Sequence, residues 1–181
     1  MNRLMTNALV FFATLIGMEG FAFLAHKYVM HGWGWGWHRS HHEPRTGWLE
    51  RNDLYAIVFA LFAIVLIALG TQGIRPLEWI GAGMTAYGFL YFLAHDGLVH
   101  KRWPLKYVPR TGYLKRLYQA HLMHHAVSGK DRCVSFGFLY APTTAALRAQ
   151  LRDLHGGPLH KNDPDVATGS ANARASDARE Q

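Results

Sequence analysis

The chain has 181 residues, of which 50% are apolar and 13% aromatic, and its formal net charge is +7. This length suits one domain, and the single Cys133 excludes both an intramolecular disulfide and a thiolate metal site. Nucleic acid is not the expected partner, because the basic residues are scattered among apolar stretches and histidines instead of forming a basic domain. An anionic membrane surface is the simpler partner for this charge.

Three apolar stretches are close to the length of a transmembrane helix. They cover residues 8–25, 54–74 and 77–94. A helix of about 20 apolar residues crosses the hydrocarbon core of a bilayer. The sequence therefore predicts an all-α integral membrane protein with at least three transmembrane helices.

The chain becomes more polar after the third stretch. Segment 134–147 is apolar but is interrupted by Pro142, so we expect it to be re-entrant or interfacial, with a fourth span as the alternative. Residues 156–181 contain almost no large apolar side chains and are expected to be a disordered tail. The prediction is thus one membrane-embedded domain over residues 1–155, with three to four spans.

The basic residues predict how the domain is oriented. Three spans place the N-terminus and the turn at 70–76 on one side of the membrane, together with Arg3 and Arg75. The other 17 of the 19 Lys and Arg residues then lie on the opposite side. By the positive-inside rule that side is cytoplasmic, in a bacterial inner membrane, and it holds residues 26–53 and everything after residue 94.

Ten of the twelve histidines form a duplicated pattern, in which HxxxxH is followed by HxxHH. The four boxes are His26 and His31; His38, His41 and His42; His95 and His100; and His121, His124 and His125. The predicted topology places all ten on the cytoplasmic side. His155 and His160 match neither motif and are not expected to bind metal.

The spacing within the boxes suggests a metal centre. On an α-helix the three histidines of HxxHH project from one face and can converge on one region. The two of HxxxxH lie about 140° apart on a regular helix, so each pair either reaches two metals or sits where a helix ends. Neutral imidazoles suit Zn, Fe, Ni or Cu. Since a structural zinc site uses four ligands, ten histidines predict two metal ions.

Residues around the boxes narrow the prediction. The distinctive stretches are Met18-Glu19, His26 to His38, His41 to Pro44, Asn52 to Tyr55, His95 to His100, His121 to Ala126, and Ser135 to Tyr140. The boxes resemble those of the fatty acid hydroxylase superfamily of integral-membrane, non-haem di-iron enzymes. The flanking stretches are similar to the bacterial β-carotene hydroxylases. The resemblance runs from about residue 18 to residue 142.

The resemblance implies two iron ions, O₂ as oxidant, and electrons from a reductase through reduced ferredoxin. It also implies hydroxylation at C3 and C3′ of β-ionone rings, which converts β-carotene to zeaxanthin through cryptoxanthin and canthaxanthin to astaxanthin. The boxes alone do not encode substrate shape, so a carotenoid 4-ketolase or a fatty acid or sterol hydroxylase are alternatives. A metal transporter or sensor is the alternative of another class, which the absence of charged residues in the second span disfavours.

Two acidic residues are candidates for supporting the metal ligands. Glu19 is the only ionisable residue well inside the first span and lies seven residues before His26. It could accept a hydrogen bond from a ligand imidazole, or it could pair with a Lys or Arg at a helix contact. Asp96, next to His95, is a similar candidate. Asp53, at the start of the second span, is predicted to be a helix cap, with a supporting role near the ligands as the alternative.

The tryptophans and a basic stretch are assigned to the membrane surface. Trp33, Trp35 and Trp37 are predicted to lie at the membrane interface, with a substrate-ring pocket as the alternative. Residues 101–116 are predicted to face anionic headgroups, with a ferredoxin docking site as the alternative.

Overall fold

The structure is a computed structural model that describes residues 2–45, 47–102 and 107–157. These residues form helices and connecting loops without any strand, which confirms the predicted all-α class. The helices are α1 (Arg3–Leu24), π1 (Ala25–Trp33), α2 (Trp35–His42), α3 (Asp53–Thr71), α4 (Leu77–Tyr91), π2 (Phe92–Val99), α5 (Gly112–His124) and α6 (Thr144–His155).

Two helical segments are long and apolar enough to cross a membrane. They are α1 continued by π1, with mean hydropathy 2.0, and α3, with mean hydropathy 2.6. In their most apolar stretches, only 6% of α1 with π1 and 11% of α3 is buried, whereas a core helix of a soluble protein would be mostly buried. The third predicted span corresponds to α4, which has 15 residues and continues directly into π2.

Helix α4 packs against both α1 and α3, and glycines permit the close approach. A Cβ atom at Gly81 would lie 2.7 Å from the carbonyl oxygen of Ala63 in α3. A Cβ atom at Gly83 would lie 2.8 Å from the carbonyl oxygen of Phe11 in α1. Small residues at such contacts let helix backbones approach closely, as is common between membrane helices.

The segment from residue 107 to residue 157 has a conventional apolar core beneath α5 and α6. Its buried residues are Leu117, Ala120, Val127, Cys133, Val134, Ala141, Leu147 and Leu151. Residues 134–143 form an irregular loop and α6 has 12 residues, so residues 107–157 contain no helix long enough to cross a membrane. The predicted disorder of the tail lies outside the described residues beyond Gly157.

Candidate metal centre

The two HxxxxH pairs lie in π-helical turns. In π1 the amide of Gly34 donates to the carbonyl of Val29 at 2.8 Å, and at the end of π2 the amide of His100 donates to the carbonyl of His95 at 2.9 Å. These hydrogen bonds span five residues, so this wider winding brings residues i and i+5 to the same side. The separation of about 140° holds for a regular α-helix, and each pair instead lies just after a regular α-helix ends, which was one of the two alternatives.

The ten predicted histidines come together as two neighbouring groups. The first cluster contains His26, His31, His38 and His124, and the second contains His41, His100, His121 and His125; within each, the ligand nitrogens lie within 4.8 Å of one another. His95 joins the second cluster, because its Nε2 lies 2.9 Å from Nε2 of His41. His42 lies between the clusters, with ring centroids 5.0 Å from His124 and 4.4 Å from His125. That the ten bind metal stays a prediction.

Each HxxHH triplet is divided between the clusters, although its three histidines were predicted to project from one helix face and converge on one region. Helix α2 supplies His38 to the first cluster and His41 to the second. Helix α5 supplies His124 to the first cluster and His121 to the second. Three residues advance about 4.5 Å along a helix axis, so histidines on one face still reach different positions when the helix lies across both clusters.

Five rings, those of the first cluster and of His42, are oriented through Nδ1 by uncharged acceptors. The acceptors are the carbonyls of Phe136 for His26 (2.9 Å), Lys130 for His31 (2.8 Å), Val134 for His124 (2.9 Å) and Val127 for His42 (3.2 Å), and the side-chain oxygen of Asn52 for His38 (2.7 Å). A carbonyl oxygen can only accept, so Nδ1 carries the hydrogen and Nε2 keeps its lone pair for a metal.

Carboxylates orient two rings of the second cluster. His41 Nδ1 lies 3.0 Å from Glu50 Oε2, and His95 Nδ1 lies 2.7 Å from Asp96 Oδ1. Asp96 thus makes the contact expected for it from the sequence. Glu50 and Asn52 were not predicted, since nothing in the local sequence relates them to a particular histidine.

Arg102 joins the carboxylates into one ion-pair network. Its guanidinium nitrogens lie 2.7 Å from Asp53, 3.2 Å from Asp96 and 3.4 Å from Glu50. Burial raises the pKa of Glu50, and the charge of Arg102 acts in the opposite direction. The Arg102 side chain is only 12% exposed, so its assignment to a headgroup-facing stretch is corrected.

Asp53 also differs from its expected role as a helix cap. It is the first residue of α3, and the preceding Asn52 makes no side-chain cap. The Asp53 carboxylate accepts a hydrogen bond from the amide of Glu50 at 2.9 Å and pairs with Arg102. It therefore ties the loop before α3 to the end of π2.

The nitrogens that face each other in the clusters form donor sets that suit a cation. Nε2 of His26 lies 3.0 Å from Nε2 of His38, and Nε2 of His31 lies 3.1 Å from Nε2 of His124. With hydrogens on Nδ1, each of these contacts brings two lone pairs together, which is unfavourable unless a positive ion binds both. The same geometry recurs in the second cluster between His41 and His95.

A proton is a poor substitute for that ion. Burial, followed by the charge of neighbouring imidazoles, lowers the pKa of His38 to about 2. Burial likewise lowers the pKa of His42 to about 3 and that of His124 well below its ordinary value. His42 Nε2 is buried and has no hydrogen-bond partner within the described part of the chain. The donor set therefore fits two divalent or trivalent metal ions.

Glu19 occupies a different position from either one considered for it. Its carboxylate accepts hydrogen bonds from the backbone amides of Phe138, Leu139 and Tyr140 at 2.8–3.1 Å, and from the hydroxyl of Tyr87 at 2.7 Å. No hydrogen bond or ion pair with a histidine, Lys or Arg is found for it in the described residues. Glu19 holds the loop whose carbonyls at Val134 and Phe136 orient His124 and His26.

An apolar cleft lies beside the centre. An inner cavity of about 430 Å³ and an outer one of about 930 Å³ share lining residues, including Met18, Met30, Phe59 and Met84. None of the ten histidines lines either cavity, but Asn52 and Asp96, which line the inner one, accept hydrogen bonds from His38 and His95. A mainly apolar molecule in the cleft would therefore contact residues that orient one ring of each cluster.

The three tryptophans have different surroundings. Trp33 and Trp37 line the outer cavity, which matches the ring-pocket alternative considered for them. Trp35 packs on the histidines, with its ring centroid 5.2 Å from that of His42 and 5.3 Å from that of His31. Their position at a membrane interface stays a prediction.

The chain is a helical protein with buried histidine clusters beside an apolar cleft, and comparison with known proteins shows the family to which it belongs. The fatty acid hydroxylase family profile matches residues 11–143. The chain belongs to this family, which confirms the resemblance inferred from its sequence. No solved structure matches it significantly.

The relatives are named for carotenoid chemistry. The chain is 70% identical over 150 residues to the β-carotene hydroxylase of Pantoea ananas, covering 83% of this chain and 86% of that protein. It is 57% identical over 174 residues to the β-carotene hydroxylase of Pseudescherichia vulneris, covering 94% and 99%. It is 40% identical over 131 residues to a chloroplastic β-carotene 3-hydroxylase of Gentiana lutea, covering 70% of this chain and 40% of that protein.

Proposed function

We propose that the protein is a membrane-embedded di-iron monooxygenase that hydroxylates C3 and C3′ of the β-ionone rings of β-carotene, giving zeaxanthin through cryptoxanthin. The observation that carries the reaction class is the pair of buried histidine clusters beside an apolar cleft, whose lining residues Asn52 and Asp96 contact one ring of each cluster. The substrate class is supported by the names of the bacterial relatives, and the ring position by that of the Gentiana lutea relative.

The first cluster would hold one iron and the second the other, with His42 between them. When bound, the irons supply the activation of O₂ and the electron transfer that hydroxylation requires. Each hydroxylation consumes a C–H bond, one O₂, two electrons and two protons, and yields the alcohol and water. Reduced ferredoxin, recharged by its reductase, is the proposed electron donor.

The chain's own residues would orient the ligands and exclude water. Oxygen acceptors hold seven of the ten rings through Nδ1, so these rings present Nε2 without reorganisation. The apolar walls of the cleft, such as Phe59 and Met84, would place a ring near Asp96 with few competing waters. A long apolar polyene could extend through the outer cavity past Trp37.

The same arrangement supports a membrane location. The exposed apolar surfaces of α1 and α3 would face lipid, from which a carotenoid could enter the cleft. The basic-residue distribution supports a cytoplasmic histidine centre, within reach of a soluble electron donor. Alkaline phosphatase fused in the 70–76 turn should be active, and a fusion at Arg110 inactive. Activity at Arg110 would contradict this topology.

The function is tested by expressing the chain in a bacterium that makes only β-carotene and has a competent ferredoxin system. Chromatography should show cryptoxanthin and zeaxanthin, and a strain that makes canthaxanthin should yield astaxanthin. Unchanged β-carotene in cells that contain folded protein would defeat the proposal. Echinenone in its place would identify a carotenoid 4-ketolase.

A further inference from the structure

The two clusters differ in the charge of the groups that accept hydrogen bonds from their histidines. The four rings of the first cluster donate to three backbone carbonyls and to the amide oxygen of Asn52, all of them uncharged. In the second cluster His41 faces the carboxylate of Glu50 and His95 faces that of Asp96. His42, which lies between the clusters, also faces a backbone carbonyl and so adds no charge to either side.

A carboxylate changes the ligand that it orients. By accepting a strong hydrogen bond from Nδ1–H, the carboxylate raises the electron density of the ring, which makes Nε2 a stronger donor to a metal. Its negative charge also attracts the metal directly. Both effects persist at Glu50 and Asp96 because the two side chains are largely buried, where solvent screens charge weakly.

Arg102 reduces this negative charge without cancelling it. One guanidinium serves three carboxylates, those of Glu50, Asp53 and Asp96. It also holds Glu50, which orients His41 of α2, and Asp96, which orients His95 of π2. The network is therefore a positioning device that leaves excess negative charge in direct contact with rings of the second cluster. Asp131, which acts on His31 of the first cluster, and Arg45, which acts on Glu50, make no hydrogen bond or ion pair with those groups in the described part of the chain, so their charges act from farther away.

We propose that the two metal positions are unequal: the second cluster binds its metal more tightly and stabilises its higher oxidation state, whereas the first holds the metal that is reduced first. The inference rests on the two-metal centre of the proposed function. Its physical cause is that a more positive ion gains more from the carboxylates of Glu50 and Asp96 than from the neutral acceptors of the first cluster.

Metal affinity tests the first part. Metal-free protein in detergent is titrated with Co²⁺ and followed by absorption, and two binding steps are expected. Glu50→Gln and Asp96→Asn keep an oxygen acceptor but remove its charge, and each should weaken the tighter step by about 10–100-fold while leaving the other step unchanged. Asn52→Asp gives the first cluster a carboxylate and should strengthen the weaker step.

Asp53→Asn is the matched control. It removes the same charge from the same Arg102 network, but Asp53 accepts no hydrogen bond from a histidine. Its effect on either step should be clearly smaller than that of Asp96→Asn. Equal effects of the two substitutions, or equal weakening of both steps, would overturn the proposal. Because Asn52→Asp predicts a gain in affinity, loss of folding cannot imitate it.

Reduction of the iron-loaded protein tests the second part. Dithionite supplying one electron per chain converts one ferric ion to ferrous, and Mössbauer spectroscopy resolves the two irons. The ferrous signal should be the one altered by Asn52→Asp, and the ferric signal the one altered by Glu50→Gln. The opposite assignment, or simultaneous reduction of both irons, would overturn the proposal. Two bound irons that prove equivalent refute only this inference, whereas a protein that binds no iron refutes the proposed function.

Discussion

The apolar helices leave their apolar side chains exposed, whereas the segment from residue 107 to residue 157 buries its own. In α1 and α3, Ile16 and Ile64 are 73% and 60% exposed, although they belong to the most apolar parts of the chain. In α5 and α6, Leu117 and Leu147 are buried, as in a water-soluble protein. The buried histidines lie where the two regions meet. The difference teaches that the C-terminal segment has its own apolar core, whereas the chain leaves the apolar surfaces of α1 and α3 largely uncovered. In the proposed function, a centre placed between them would receive a lipid-dissolved substrate from one side and electrons from the other.

The largest effect should come from removing histidines of the two clusters, which lie where the two regions meet. Alanine at His38, His41, His42, His121, His124 or His125 should abolish turnover, a loss of at least about 100-fold, because removing even an outer partner of a ligand can cost about 10–100-fold. Iron per chain should fall in the same variants. His155→Ala is the control, since its ring contacts the Arg132 carbonyl and lies outside both clusters; His160→Ala should also remain active. Near-normal iron and activity in the His41 and His124 variants would refute the centre.

The comparison between the regions is tested by deleting apolar side chains from each. Leu147→Ala removes a side chain that is 1% exposed and should lower the free energy of unfolding by about 2–5 kcal/mol. Ile64→Ala removes a largely exposed side chain from α3 and should change it by less than about 0.5 kcal/mol. Unfolding in detergent, followed by circular dichroism, measures both. A larger loss for Ile64→Ala would mean that α3 is packed against another protein surface.

Glu19 links the regions, since a side chain of α1 binds the loop of the C-terminal segment. Glu19→Ala leaves three amides and the Tyr87 hydroxyl without their acceptor and should cost about 3 kcal/mol of stability. Iron content should fall as well, because the released loop carries the carbonyls that orient His26 and His124. Glu19→Gln retains one acceptor oxygen and should recover part of both losses. Wild-type iron content in Glu19→Ala would show that the loop is held without it.

The smallest effect concerns packing among the apolar helices. Gly81→Ala places a methyl group 2.7 Å from the carbonyl oxygen of Ala63 and should destabilise the protein by about 1–3 kcal/mol. Gly88→Ala in the same helix meets nothing within 4 Å and should be neutral or slightly stabilising. Thermal unfolding of the two variants in one detergent provides the comparison. Equal melting temperatures would show that α4 does not pack closely on α3.

The sequence by itself determined the helical class, the apolar stretches and the set of ten histidines. These features are local, because hydropathy depends on composition over about 20 residues and the boxes span at most six residues. Its flanking motifs also determined the family, which the profile match over residues 11–143 confirms. Regular helix geometry did not apply where the chain is wound differently, at His26 to His31 and at His95 to His100. It also did not reveal that each HxxHH triplet is divided between the two clusters.

Only the tertiary structure decided how the histidines divide and what orients them. His26 is oriented by the Phe136 carbonyl, 110 residues away, and every residue has a carbonyl, so no side-chain pattern marks this partner. Arg102 looked like one more surface cation until folding surrounded it with three carboxylates. Hydrogen bonds and ion pairs of this kind depend on distances between remote segments, and those distances exist only after the helices have packed.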